Sequence, residues 1–99
     1  PEHAMPSLLI SGGSEDRWPG GGVTLVDFTQ ATDTLEDSLS QDGHFVVRCE
    51  HSQGHSVPMV AFSAAKEWIE VHQFGEPSPI QTAGLSDYAN YDGWCEVAN

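Results

Sequence analysis

Basic residues are scarce in this chain of 99 residues. Three Lys and Arg side chains stand against fifteen Asp and Glu side chains, so the formal net charge is -12 at pH 7. Such a surface repels nucleic-acid phosphates and anionic lipid headgroups. We therefore expect no nucleic-acid partner and no membrane partner. Acidity alone favours solubility and does not name a substrate.

Long apolar runs are also missing. No run approaches the roughly 20 residues that a membrane-spanning helix needs. The sequence starts Pro-Glu-His, without the charged and then apolar segment of a signal peptide, so we expect any targeting peptide upstream. An α/β architecture with a complete active site usually needs roughly 200–250 residues, so the length itself indicates a piece of a larger domain.

Cysteine is limited to Cys49 and Cys95, and the paired Cys-x-x-Cys spacing of a zinc site is absent. A disulfide and two buried free thiols are both compatible with this count. His51 and His55 have the four-residue spacing of metal ligands on a helix, but Gly54 disfavours a helix there. We therefore predict no metal site.

Four periodic segments alternate between strand and helix. Apolar and β-branched runs predict strands at 7–10 and 44–49, and a 3.6-residue period predicts helices at 28–42 and 59–73. Asp27 is placed to cap the first helix and Gly43 to end it. Pro58 and Gly75 mark the ends of the second helix. The first strand has the continuous apolar character of a strand buried on both faces.

The order of these segments predicts an α/β fold. A helix between two strands implies that the strands are parallel neighbours in one sheet. Residues 1–75 then form a strand-helix-strand-helix unit, in which residues 11–22 are a glycine-rich loop. Residues 76–99 have no sustained period, and we expect an irregular tail that lies on this unit.

The second helix is apolar around about 200° of its circumference, including Phe62, Trp68 and Ile69. Two strands and one narrow helix face are too small to cover it. We therefore expect the chain to be the C-terminal portion of a single domain, whose remaining sheet lies upstream.

Acidic and histidine residues follow the two predicted strands. Glu15 and Asp16 come after the first strand, and His51 and His55 come after the second. The carboxyl ends of parallel strands open on one edge of a sheet, so an acid and a histidine can meet there. A carboxylate that orients an imidazole is the base half of a nucleophilic triad.

Three stretches together carry a family resemblance: Gly-Gly-Ser-Glu-Asp at 12–16, Asp-Gly-His-Phe-Val-Val-Arg-Cys at 42–49 and Gly-His-Ser-Val-Pro at 54–58. They resemble the C-terminal end of the polyhydroxybutyrate depolymerase and feruloyl esterase-like branch of the α/β hydrolases, over nearly the whole chain. The resemblance implies a serine-type carboxylic ester hydrolase in which Asp16 orients the general base His55. A one-residue shift of the alignment would make Glu15 the acid instead.

The resemblance implies further features. The Pro-Ser-Pro to Asp-Gly-Trp-Cys region is similar to the tail of secreted members, which implies an extracellular location. The substrate would be a small-molecule or polyester ester, and no cofactor is needed. Trp18 follows the acidic loop and either lines the substrate pocket or packs on its own loop.

One part of the family pattern is absent. The nucleophile of these enzymes lies in Gly-x-Ser-x-Gly, upstream of the acid, and no such motif occurs in this sequence. We therefore expect the serine and the oxyanion hole to come from the rest of the parent domain, and the chain alone to be inert. The alternative is a small acidic secreted module that is not an enzyme, or one that binds a metal.

Overall fold

The computed structural model describes residues 5–18, 26–73 and 75–98. It contains a three-stranded mixed sheet and two long helices. In chain order the elements are β1 (Ser7–Ser11), β2 (Arg17–Trp18), β3 (Val26–Asp27), α1 (Phe28–Gln41), β4 (Val46–Glu50), α2 (Met59–Val71), α3 (Pro79–Ala83) and β5 (Cys95–Val97). Single 3₁₀ turns lie at Gly13–Glu15, Leu85–Asp87 and Ala89–Tyr91. The mixed α/β class predicted from the sequence is confirmed.

β1 and β4 are parallel neighbours, and α1 is part of the connection between them. Ser11 at the end of β1 lies opposite Glu50 at the end of β4. The carboxyl ends of the two strands therefore lie side by side. α1 begins where the sequence predicts, because the Asp27 side chain accepts a hydrogen bond from the Gln30 N–H.

β1 is less buried than its apolar sequence predicts. Leu8, Leu9 and Ile10 are only half-buried, so the expectation of a strand covered on both faces is wrong for this chain. The reason is that β1 pairs with β4 alone among the described residues, which leaves its other edge open. α1 covers one face loosely and has no fully buried residue of its own.

The core lies on the α2 side of the sheet. Its buried members are Phe45, Val47, Cys49, Ala64, Trp68, Ile80 and Tyr91. Trp68, on the apolar side of the second helix, belongs to this core, and its ring and the Tyr91 ring are in edge-to-face contact with 6.3 Å between their centroids. The Tyr91 hydroxyl donates to the Ala64 carbonyl at 3.0 Å. Burial, with the nearby Glu67 and Tyr88 adding to it, raises the pKa of Tyr91 to about 12.

The tail contains regular elements, whereas the sequence predicts an irregular segment over 76–99. α3 is capped by the Ser78 side chain, which accepts from the Gln81 N–H. β5 pairs antiparallel with β4, so the sheet has three strands rather than two. A three-residue strand and a five-residue helix are too short to produce a readable period, which is why the sequence pattern did not reveal them.

One side of α2 remains uncovered. Phe62 is 58% exposed and Ile69 is 75% exposed, and Val57 just before the helix is 78% exposed. We call these three residues the apolar patch. The tail supplies the partner that Trp68 needs, but it does not reach the apolar patch.

No helix in the described ranges is long and apolar enough to cross a lipid bilayer.

The glycine-rich loop after β1 contains some regular structure. A 3₁₀ turn at Gly13–Glu15 is followed by β2, which pairs antiparallel with β3. The prediction of a continuous loop over 11–22 is therefore wrong at Arg17–Trp18, where the backbone is held in a two-residue ladder. Residues 19–25, which include the rest of the predicted loop, lie outside the described residues.

Candidate active site

The side chains of Asp16 and His55 meet at the carboxyl ends of β1 and β4. The His55 Nδ1 atom lies 2.9 Å from the Asp16 Oδ1 atom. A carboxylate only accepts hydrogen bonds, so the proton of this contact belongs to Nδ1 and the Nε2 atom is the acceptor of the neutral ring. Asp16 is 6% exposed, whereas the His55 side chain is 59% exposed. The acid is enclosed and the base is accessible.

Backbone groups of its own loop hold the Asp16 carboxylate. Its second oxygen, Oδ2, accepts a hydrogen bond from the Gly12 N–H at 2.8 Å. The Asp16 N–H donates to the Gly13 carbonyl and closes the 3₁₀ turn. With one oxygen fixed by the backbone, the other is held toward His55.

Glycines allow the acid loop and the histidine loop to touch. The Gly54 N–H donates to the Gly12 carbonyl at 3.0 Å. A Cβ atom on Gly12 would lie 1.8 Å from the Gly54 carbonyl oxygen, which no side chain can tolerate. Gly54 itself has a φ of 69°, in the left-handed region that glycine favours. The acid-histidine distance therefore depends on glycine at both positions.

The two candidate acids, Glu15 and Asp16, have different environments in the structure. Glu15 is 70% exposed in its side chain, and its carboxylate pairs with the Arg17 guanidinium at 2.8 Å. The adjacent Asp16 carboxylate, in contrast, bonds to His55. The backbone turn at Gly13–Glu15 therefore brings Asp16, and not Glu15, to the histidine.

Phe28 is a site residue that the sequence did not indicate. Its ring is stacked on the His55 ring with 4.3 Å between the centroids and 11° between the planes. The sequence predicts Phe28 only as the first residue of the helix at 28–42. Its closeness to the acid loop is visible only in the fold.

His55 lines a mainly apolar groove of about 450 Å³. Ile10 near the end of β1, Phe28 of α1 and Phe62 of α2 line it as well. Within the described part of the chain, the Nε2 atom has no hydrogen-bond partner, and no serine hydroxyl reaches it. His55 is therefore a base with a free Nε2 atom in a groove lined mainly by apolar side chains.

His51 is placed beside the site but has a different environment. It is 8% exposed, its N–H donates to the Ser11 carbonyl, and its Nδ1 accepts from the Gln53 N–H. His51 and His55 do not lie on a helix. Among the residues that the structure describes, no three His, Cys, Asp or Glu side chains are grouped to hold a metal ion.

The remaining predicted residues lie apart from the acid-histidine pair. Cys49 and Cys95 are joined in a disulfide that ties β5 to β4. The backbone of Trp18 belongs to β2, but its side chain is outside the described part of the structure, as are the residues that follow it. Its assignment to a substrate pocket stays a prediction.

Comparison of the chain with protein-family models, with curated proteins and with solved structures finds no match.

Proposed function

We propose that this chain carries the acid and the histidine of a serine-type carboxylic ester hydrolase. The observation that supports this most strongly is the 2.9 Å contact between His55 Nδ1 and the buried Asp16 carboxylate, at the carboxyl ends of adjacent parallel strands. This arrangement leaves Nε2 accessible, as a general base requires. The nucleophilic serine comes from residues outside these 99.

In the first half of the reaction, His55 Nε2 takes the proton of the serine hydroxyl while the serine oxygen attacks the ester carbonyl carbon. The bond to the alcohol oxygen then breaks, and Nε2 returns the proton to that leaving oxygen. An acyl-enzyme remains. Asp16 stays ionised throughout and stabilises the imidazolium through Nδ1.

In the second half, Nε2 takes a proton from water while the water oxygen attacks the acyl carbon. The bond to the serine oxygen breaks, the serine regains its proton from Nε2, and the carboxylic acid leaves. The apolar walls beside Nε2 favour an ester whose acyl or alcohol part is apolar. No cofactor enters these steps.

The same proposal accounts for two unpaired surfaces. The open edge of β1 is the place where a further parallel strand would extend the sheet. Val57 and Phe62 of the apolar patch line the groove, and the rest of an α/β-hydrolase domain would cover the patch. We therefore propose that these residues are the C-terminal portion of an α/β-hydrolase domain, and that the rest of this domain is the partner of both surfaces.

An extracellular location is part of the proposal as well. Disulfides persist mainly in oxidising compartments. The bond between Cys49 and Cys95 therefore favours an exported protein.

The proposal is tested with the protein translated from the whole reading frame that includes these 99 residues, using p-nitrophenyl butyrate as substrate. Asp16→Asn should lower turnover on the order of 10⁴-fold, because an amide holds the imidazole in the wrong tautomer. Glu15→Gln is the matched control and should leave turnover near the wild-type value, because Glu15 pairs with Arg17 on the surface. Equal effects of the two substitutions, or no ester hydrolysis by the wild type, would overturn the proposal.

A further inference from the structure

We infer that Phe28 is a positioning residue that fixes the plane of the His55 ring, an inference that rests on the proposed function. A single hydrogen bond at Nδ1 leaves the ring free to tilt about the line from Nδ1 to Oδ1. The Phe28 ring removes this freedom by lying parallel to the imidazole at 4.3 Å. The direction in which Nε2 points is then set by two contacts instead of one.

The exposure of His55 makes this second contact necessary. Its side chain is 59% exposed, and it lies in a loop between β4 and α2 that has no regular structure. Exposed side chains change rotamer on a scale of picoseconds to nanoseconds unless neighbours hold them. In the described structure, Phe28 is the aromatic neighbour in contact with this ring.

Phe28 is itself anchored to the acid loop. Its N–H donates to the Asp16 carbonyl at 2.7 Å, and the hydroxyl of the next residue, Thr29, donates to the Gly13 carbonyl at 2.7 Å. The Asp27 side chain caps the same helical turn. The backbone of Phe28 is therefore bonded to the backbone of Asp16, while the Phe28 ring holds the His55 ring. A shift of the acid loop would therefore also move the ring that orients His55.

A phenyl ring suits this position chemically. It has no hydrogen-bonding group that would compete with Asp16 for the Nδ1 proton. When proton transfer converts His55 to imidazolium, the positive charge lies over the electron-rich face of the Phe28 ring, which attracts it. The same contact therefore orients the ring before and after proton transfer.

The first test uses nitrogen and proton NMR of the full reading-frame product, with histidine and phenylalanine labelled selectively. In the wild type we expect Nδ1 protonated, Nε2 unprotonated, ring-to-ring NOEs between Phe28 and His55, and His55 ring protons shifted upfield by the stacked phenyl. Phe28→Leu should remove the upfield shift, and Phe28→Tyr should restore it. Phe62→Leu is the matched control, because Phe62 lines the groove without a ring contact to His55.

The second test measures turnover of the full reading-frame product. Phe28→Leu should lower kcat by on the order of 10²-fold with KM little changed, as expected for a misdirected base. Phe28→Tyr should recover most of it. Leu35→Ala, on the same helix and outside the groove, should leave kcat near the wild-type value. Concentrations are set by titrating active serine with a fluorophosphonate, so that a loss of folded enzyme is not counted as a loss of rate.

The outcomes separate the inference from the proposed function. A wild type without an Nδ1 proton bonded to Asp16 would remove the basis of both. With that bond present, absent Phe28–His55 NOEs would overturn the Phe28 inference alone. An unchanged kcat in Phe28→Leu would do the same. If Phe28→Leu does not fold, the wild-type NOEs still decide the inference, because their absence overturns it.

Discussion

At the scale of single residues, Gly12 controls how closely the acid loop and the histidine loop approach. Gly12→Ala places a Cβ atom 1.8 Å from the Gly54 carbonyl oxygen, and both partners are backbone, so the loops must separate. We expect the free energy of unfolding to fall by about 1–3 kcal/mol, the usual cost of overpacking. Urea denaturation followed by tryptophan fluorescence measures this change.

Ser14→Ala is the matched control for Gly12→Ala, because Ser14 lies in the same loop and is exposed. It should change stability by no more than about 0.5 kcal/mol. A Gly12→Ala variant as stable as Ser14→Ala would show that the two loops do not interlock as described.

The residues of the site differ in how far the sequence reveals them. Asp16 and His55 were predictable as candidates because each follows a strand in a parallel pair, where the topology brings side chains together. The sequence left Glu15 open as the acid, since two adjacent carboxylates look alike until the backbone turn is known. Phe28 was not predictable, because its contact with His55 depends on the angle between α1 and the loop after β4.

At the scale of elements, the disulfide between Cys49 and Cys95 ties the short strand β5 to β4. β5 has three residues, and two of them are exposed. Cys49 and Cys95 are 46 positions apart, and cross-linking a loop of that length stabilises the folded state by about 4 kcal/mol in the chain-entropy model. We expect reduction, or the double change Cys49→Ala and Cys95→Ala, to lower the free energy of unfolding by about this amount.

Denaturant titration with and without reductant measures the effect of the disulfide. The double alanine variant serves as the control, since reductant should not change its midpoint. Two free thiols by mass spectrometry of the exported protein under non-reducing conditions would contradict the assignment, and so would a wild-type midpoint insensitive to reductant.

The elements also differ in predictability. α1 and α2 were readable because an N-cap at Asp27 and a proline before Met59 mark their starts, and each has several turns of periodic sequence. α3 and β5 owe their formation to partners distant in sequence, namely the core around Trp68 and strand β4. Local pattern carries no information about such partners.

At the scale of the whole molecule, the apolar patch is a surface that the described residues leave exposed to solvent. Val57, Phe62 and Ile69 are each more than half exposed. Exposed apolar surface of this kind marks an interface or causes self-association. We expect the folded 99-residue chain to bind a hydrophobic dye and to associate as its concentration rises.

The comparison for this prediction is a variant with Phe62→Gln and Ile69→Gln. It should lose most of the dye fluorescence and the association, while the near-UV circular dichroism from the buried Trp68 is retained. A monomeric wild type that melts cooperatively and binds no dye would show that the patch needs no partner.

The most direct measurement of the central claim is the ester turnover of His55→Ala in the full reading-frame product. Removing the general base should lower kcat by on the order of 10⁴-fold or more, with folding and substrate binding little changed. His51→Ala removes the neighbouring histidine, whose Nδ1 is occupied by the Gln53 N–H, and should retain far more of the turnover. Near-normal turnover in His55→Ala would contradict the assignment of Asp16 and His55 as a catalytic pair.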